Sequence, residues 1–389
     1  MEEIVILQSV EAWHVRVPLL ADWASSPEYG PHAGAEGDRL LLKLSGPDGL
    51  AGWGEMALPS ESLIARAMRR LVQVDFDNEP QSLLPLWEPD ALYWSRPEGH
   101  PQFGPKKEML RHRLRHPMQC AVETALADLR SRRLGIPLHL LYGGAWRKTV
   151  AADYWMGRVS PEQAARCARR ARELGFHGLK LKTTLQDPNV ERLKAIRDAA
   201  GADFSVTVDP NGRFYRLDDA WPTIAAMEEV GNMAILEDPF PRFYLNEFVL
   251  LRQRLGKARL VVHVDPNESL WPVLQSGAAG GLNLDSYTCG PAQWRIDAGM
   301  ADRANLPVWH GSSLNLGIAT ALELHTAASS PNCTLPGDQA APWLREHMLV
   351  KTGFEIRDEG ILVPTDGPGL GIVVDEEAVA RHTVRHWTA

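Results

Sequence analysis

From Thr149 onward the sequence alternates short β-prone runs with helical runs, and this alternation limits the fold more than any other feature. The β-prone runs are VAADYWMG, GLKLK, FSVTVD, MAILED, RLVVHVD, GLNLD and LPVWH. Each leads into a stretch of helical composition, such as PEQAARCARRARELG or NVERLKAIRDAA. Seven such units, with an eighth strand expected around CTLPGD, predict a parallel sheet covered by helices. Eight units in roughly 200 residues fit a (β/α)8 barrel. A doubly wound sheet is the competing arrangement, but no GxGxxG follows the first strand.

Upstream the texture differs. VEAWHVRVPL alternates, and RLLLKLSGPDGLAGWGE reads as two strands joined at a Pro-Asp-Gly turn. Between them, LADWASSPEYGPHAGAEG has loop composition yet carries Trp23, Tyr29 and His32. Loops of this length often cover or line a site. Helical stretches follow, SLIARAMRRLVQ and MQCAVETALADLRSRRL, the second ended by Gly135-Ile136-Pro137. The tail, GILVPTDGPGLGI, is turn-rich with β-type flanks and suits packing against the N-terminal β region. A net charge of -8 without a basic cluster argues against nucleic acid as a partner class. The first residues lack a basic n-region, and no apolar run approaches the roughly 18 residues of a membrane span. The four cysteines are scattered and form no CxxC. A cytoplasmic protein with free thiols is expected.

In a barrel the active site lies at the C-terminal ends of the strands. The polar residues there are Lys180 and Lys182 on the second strand, Asp209 then Asn211 on the third, and Glu237 on the fourth. Asp265, Asp285 and His310 end the fifth, sixth and seventh, and Asp338 ends the eighth. They recur about one βα unit apart and so converge on one mouth. Asp209, Glu237 and Asp265 bring three carboxylates together, which repel unless a cation joins them. Oxygen-only ligands select a hard cation, Mg2+ above all. Lys180 and Lys182 share one side of their strand because its period is two. Each is expected to lower the other's pKa, aided by the cation, leaving Lys182 as a base and Lys180 to tune it or to hold a substrate carboxylate. Asp285 is expected to hydrogen-bond His310 and make it a second acid or base. Such a site removes the proton α to a carboxylate. Return of a proton on the other face is racemisation or epimerisation; loss of a β-hydroxyl is dehydration.

GWGE, GLKLK, VDPNGRF, LEDPF, the Asp285–His310 spacing and VPTDGPGLGI are features of one known group. Over nearly its whole length the chain resembles the enolase superfamily, in its mandelate racemase-like subgroup. That resemblance implies a modified (β/α)8 TIM barrel with an N-terminal α+β capping domain completed by the C-terminal segment, here divided as residues 1–125, 126–350 and 351–389. It implies Mg2+ on Asp209, Glu237 and Asp265, with His263 or Glu268 as alternatives for the third ligand. It also implies an acidic group near the substrate at Asp338, and a specificity lid carrying Trp23, Tyr29 and His32. Asn211 joins these as a substrate-contact candidate. Members with both lysines and the His–Asp dyad mostly dehydrate acid sugars. The expected activity is therefore an Mg2+-dependent acid-sugar dehydratase, a lyase giving a 2-keto-3-deoxy acid. The alternatives are a racemase or epimerase of a 2-hydroxy acid using the same two bases, and a non-catalytic barrel with a binding role. The expected partner is a small acid-sugar substrate, with neither nucleic acid nor membrane, in a homo-oligomer.

Overall fold

The computed structural model describes residues 7–20, 37–47, 49–72, 118–264, 270–287 and 289–389. Strand β1 (Ser9–Arg16) alternates between buried and partly exposed positions, as a strand with one face on a core does. It pairs antiparallel with β2 (Asp38–Ser45), which pairs with β3 (Ala51–Ala57). On the other side of β1 lies the C-terminal strand, Thr383–Thr388, so the end of the chain completes the sheet begun by its start. Helix α1 (Glu61–Leu71) follows β3. Helix α2 (Gln119–Leu134) crosses β3 at very close range. Any side chain at Gly52 or Gly54 would collide with the carbonyl oxygens of Ala125 and Ala121, one turn apart on α2. The two glycines of GWGE thus let helix and strand touch backbone to backbone. The division expected between residues 125 and 126 falls inside α2. That helix is continuous to its αL cap at Gly135 and packs on β3.

A short helix α3 (Leu138–Leu141) and strand β4 (Thr149–Ala151) lead into the parallel sheet. Its strands are β5 (Tyr154–Met156), β6 (Gly178–Lys182), β7 (Ser205–Asp209), β8 (Met233–Glu237), β9 (Arg259–Val264), β10 (Gly281–Leu284) and β11 (Val308–His310), side by side in chain order. A helix follows each: α4 (Pro161–Glu173), α5 (Asn189–Ala200), α6 (Leu217–Val230), α7 (Leu245–Arg254), α8 (Leu270–Ser276), α9 (Gly290–Arg303) and α10 (Gly317–Ala328). The signals are local. Ser160 and Gln163 form a capping box at the start of α4, and Gly231 in a left-handed conformation stops α6.

The eighth strand differs from expectation. Residues 332–337 run beside β11 and then beside β4 and β5, making single bridges rather than a ladder. Leu335 N–H donates to Val308 at 3.1 Å, and Gly337 N–H to Ala151 at 3.0 Å. Pro336 between them has no N–H to give. These bonds close the sheet into a TIM barrel-type ring of eight. Inside it Ile235, Val261 and Trp309 pack with Leu335. Between strands and helices lies the largest apolar core, and a separate core lies under the antiparallel sheet. Leu316, the N-cap of α10, and Ile318, Ala321 and Leu322 within it belong to that second core, so a barrel helix carries the antiparallel sheet. Past the barrel, β12 (Ile356–Arg357) and β13 (Gly360–Leu362) pair back onto β4. Helix α11 (Glu376–His382) leads into β14, the C-terminal strand already described. All four cysteines are buried, and no described helix is long and apolar enough to cross a membrane.

Candidate active site

Strand register decides which side chains enter the barrel. Trp309, inside, is level with Asn283, which is level with His263. Lys180 is level with Thr207, and Thr207 with Ile235, also inside. Alternation then turns Lys182, Asp209, Glu237, His263 and Asn283 inward with them.

Lys180 is the centre of this group and is only 3% exposed. Its Nζ lies 2.7 Å from Glu237, 3.1 Å from Asp338 and 3.3 Å from Asp209, over the Trp309 ring at 5.5 Å. Burial alone would depress its pKa. Asp338, Glu237 and Asp209 outweigh burial and raise it well above the ordinary lysine value. The expected depression therefore does not hold for Lys180, which stays a fixed ammonium. Lys182, half-buried, hydrogen-bonds Asp209.

Asp209 is buried, which would raise its pKa, but Lys182 and Lys180 hold it below the usual carboxylate range. The N–H of Asn211 donates to it at 3.0 Å. Asn211 adopts a left-handed φ of 49°, which asparagine tolerates. Glu237 accepts from Asn283 at 2.7 Å. Burial and the neighbouring Asp209 push it up to about 7 against the pull of the two lysines. Asp338 pairs with Lys180 and accepts the Ser312 N–H at 2.9 Å.

The expected His310–Asp285 hydrogen bond is not made. His310 follows the inward Trp309 and therefore faces out, stacked on Trp294 of α9 with ring centroids 4.8 Å apart. Its Nδ1–H donates to the Gly311 carbonyl at 2.8 Å, and its Nε2 is buried without a hydrogen-bond partner among the described residues. Burial lowers its pKa to about 4, so the ring is neutral at pH 7. Asp285 instead accepts from His263 Nε2 at 2.8 Å. Gly311 makes room for this: a side chain there would strike Asn283 and lie 3.3 Å from the Asp285 Cβ. Asp265, Trp23, Tyr29 and His32, along with Glu268, lie outside the described residues. Asn283 was missed from the sequence, and His263 was named there only as an alternative metal ligand. The period of two applied backward from Asp265 and Asp285 names both.

The residues present fit a hard divalent cation. Asp209 and Glu237, on adjacent strands, are oxygen donors buried to 1% and 0% exposure and both reach the one ammonium of Lys180. Glu237 is strained upward in pKa by its neighbour, a repulsion that a second cation relieves. Among the described residues no group of three His, Cys, Asp or Glu side chains is poised on a single point.

A parallel eight-stranded ring with ionisable groups gathered at the carboxyl ends of its strands is the layout of a TIM-barrel enzyme. Residues 162–378 match the family described as enolase C-terminal domain-like, and the chain belongs to that family and to the enolase superfamily. It is 29% identical over 272 residues to muconate cycloisomerase 1 of Rhodococcus opacus, covering 68% of this chain and 72% of the other. It is 25% identical over 351 residues to the L-Ala-D/L-Glu epimerase of Bacillus subtilis, covering 86% and 89%. In fold it is similar to the N-succinyl Arg/Lys racemase of Bacillus cereus, with TM-score 0.80, 18% identity and 99% and 100% of the two chains covered. It is also similar to a dipeptide epimerase of Cytophaga hutchinsonii solved with Mg and the dipeptide D-Ala-L-Val, with TM-score 0.78, 20% identity and 98% and 99% covered. These relatives are isomerases, and members of the superfamily depend on Mg2+.

Proposed function

We propose that the chain removes the proton α to a carboxylate and returns one to the same carbon, acting as a racemase or epimerase of a small 2-substituted carboxylic acid. The observation that supports this reading most is Lys182. It is an inward amine at a strand end, hydrogen-bonded to Asp209 and standing beside the buried Asp209–Glu237 pair. Asp209 and Glu237, with Asp265 as the third ligand, would hold Mg2+, which when bound supplies positive charge against the negative charge that develops on the substrate carboxylate. Lys180, a fixed ammonium among three carboxylates, adds permanent positive charge at the same mouth. Lys182 takes the α-proton, a transfer worth typically 10²–10⁴-fold when the base is well placed. Asp338, oriented by the Ser312 N–H, bounds the opposite rim of Lys180.

The relatives named above favour isomerisation. Acid-sugar dehydration additionally needs an acid at the β-carbon, and His310, the residue expected to serve there, turns its ring away from the mouth. Proton NMR in D2O with Mg2+ separates the outcomes. The panel comprises both enantiomers of N-succinyl amino acids and of 2-hydroxy acids, dipeptides of either configuration, and aldonates and aldarates. Deuterium at the α-carbon with inversion, and no loss of water, is the expected result. A new 3-deoxy methylene would instead establish the dehydratase. Silence across the panel with Mg2+ bound would contradict α-proton chemistry on these acids.

A further inference from the structure

We infer that Asp187 is a positioning residue for Lys182: its carboxylate ties down the turn that follows the base, so that the amine is aimed from its backbone. The inference rests on the reading of α-proton exchange above and deepens it. Lys182 is the last residue of β6, and its side chain is half-buried. Asp209 holds its Nζ, but a flexible four-carbon stem separates that atom from the strand. The Asp209 carboxylate is also a proposed Mg2+ ligand. Where the amine points therefore depends on how firmly the backbone at residues 182–184 is fixed.

The turn closes around one carboxylate. Asp187 is buried in the connection from β6 to α5 and accepts the Thr184 N–H at 3.0 Å, with the Thr183 hydroxyl 3.2 Å from the same oxygen. Arg158 forks onto both oxygens of Asp187 at 2.9 and 2.6 Å, and Arg192 donates to one of them at 3.0 Å. Arg192 is fully buried and also donates to the Val159 carbonyl at 2.6 Å and to the Thr183 hydroxyl at 3.2 Å. Asn189, which opens α5, donates to the Thr184 carbonyl at 2.9 Å. The Thr183 N–H donates to the Asp209 carbonyl at 3.2 Å and so ties the turn to β7. Burial would raise the pKa of Asp187, but hydrogen bonds from Arg158 and Arg192 and the charges of both hold it below the usual carboxylate range. It is an anion shared by two guanidinium groups, and a forked pair of this kind adds geometric specificity as well as energy.

These bonds converge on Thr183 and Thr184, the two residues that follow the base, and join them to the segment before α4 and to the first turn of α5. Asp187 thus acts on Lys182 through the turn. Replacing it with asparagine keeps its size and takes away the anion that Arg158 and Arg192 share, so the turn loses the group that draws its donors together. A base displaced by about 1 Å can cost 10²-fold in rate.

The test uses the full chain with Mg2+ and the acid that exchanges in the panel above, each enantiomer separately. The enantiomer that presents its α-proton to Lys182 is the one whose exchange Lys182→Ala abolishes. Two things are read: kcat and KM of α-deuterium exchange, and Mg2+ affinity by calorimetry. For Asp187→Asn, kcat for the Lys182-facing enantiomer is expected to fall about 10–100-fold with KM unchanged. Exchange of the other enantiomer and Mg2+ affinity are expected to stay within about threefold of the wild type. A merely structural role would lower both enantiomers together. Arg158→Ala, at the partly exposed edge of the cluster, is expected to give the same one-faced loss and to recover with added methylguanidine. It also serves as the test if Asp187→Asn does not fold. Equal losses for both enantiomers, no loss for either, a loss carried by KM, no recovery with methylguanidine, or a loss of Mg2+ affinity like that of Asp209→Asn would overturn the assignment while leaving α-proton exchange intact. Silence of the wild-type chain removes the parent reading and this assignment with it.

Discussion

Lys180 and His310 are both fully buried ionisable groups, and their surroundings drive them in opposite directions. Three carboxylates surround Lys180, so removing its charge leaves Glu237 and Asp338 without their ammonium partner and Asp209 with Lys182 alone. Breaking a buried ionic cluster by deleting one partner costs about 3–5 kcal/mol. Lys180→Met is therefore expected to lower the urea midpoint of the chelator-treated protein clearly, and an unchanged midpoint would show that the ammonium is dispensable. At His310 burial outweighs the Gly311 carbonyl and the charge of Asp338. Its folded pKa, about 4, lies below the ordinary histidine value, as does that of His325, also about 4 and also lowered by burial. Above the unfolded pKa, near 6.5, neither affects the pH dependence of stability. As pH falls from there toward 4 the unfolded chain takes up protons that the folded chain refuses, so stability declines. Each group accounts for about 3 kcal/mol of that decline. His310→Phe is expected to flatten the acid limb by one proton in urea melts at stepped pH, and to keep α-proton exchange within tenfold. Much of the site was legible because its residues end strands in register. Lys180, Lys182, Asp209, Glu237 and Asp338 meet as their spacing predicts. What spacing does not fix is the face. Whether Trp309 or His310 turns inward depends on how Trp309 packs with Ile235 and Val261, a tertiary contact with no local signature.

Between elements, glycines and buried ion pairs set the distances that the site needs. Gly52 and Gly54 bring α2 onto β3. Gly54→Val would push the helix off, and overpacking of this kind typically costs 1–3 kcal/mol and sometimes more. A large drop in urea midpoint or loss of the soluble fold is expected, and a neutral result would mean that the helix is free to shift. The antiparallel sheet also reaches the mouth. Glu55 of β3 accepts the N–H groups of Leu316 and Ala319 at the start of α10, and Arg39 of β2 donates to the Ser313 carbonyl. Next along the same loop, Ser312 N–H holds Asp338. A carboxylate at a buried helix start satisfies orphan donors and suits the helix dipole. Glu55→Ala is expected to cost stability, about 1–3 kcal/mol for the unsatisfied N–H groups, and to lower kcat through Asp338; intact kcat would uncouple sheet from site. The βα alternation made the parallel sheet readable from sequence. The eighth strand was less so: its position is where the sequence places it, but Pro336 reduces it to bridges. The reach of α2 across the expected division at 125/126 follows from the GWGE contact, which no periodicity reveals.

At the scale of the whole molecule, the described residues form a seven-stranded parallel sheet, closed into a ring by the bridges of residues 332–337, with a second sheet seated on α10 and closed by the C-terminal strand. The ring gathers lysines on one side and the His263–Asp285 pair on the other, around Asp209 and Glu237. Membership of the enolase superfamily fits that layout. The central claim is that Asp209 and Glu237 form the cation site beside which Lys182 works. Calorimetric titration of the metal-free chain with Mg2+ tests it most directly, with the wild type, Asp209→Asn, Glu237→Gln, Lys182→Ala and His310→Phe compared. The account predicts one Mg2+ per chain, lost or weakened at least a hundredfold in the two carboxylate variants and kept within threefold in the other two. Undiminished binding in Asp209→Asn and Glu237→Gln would contradict it.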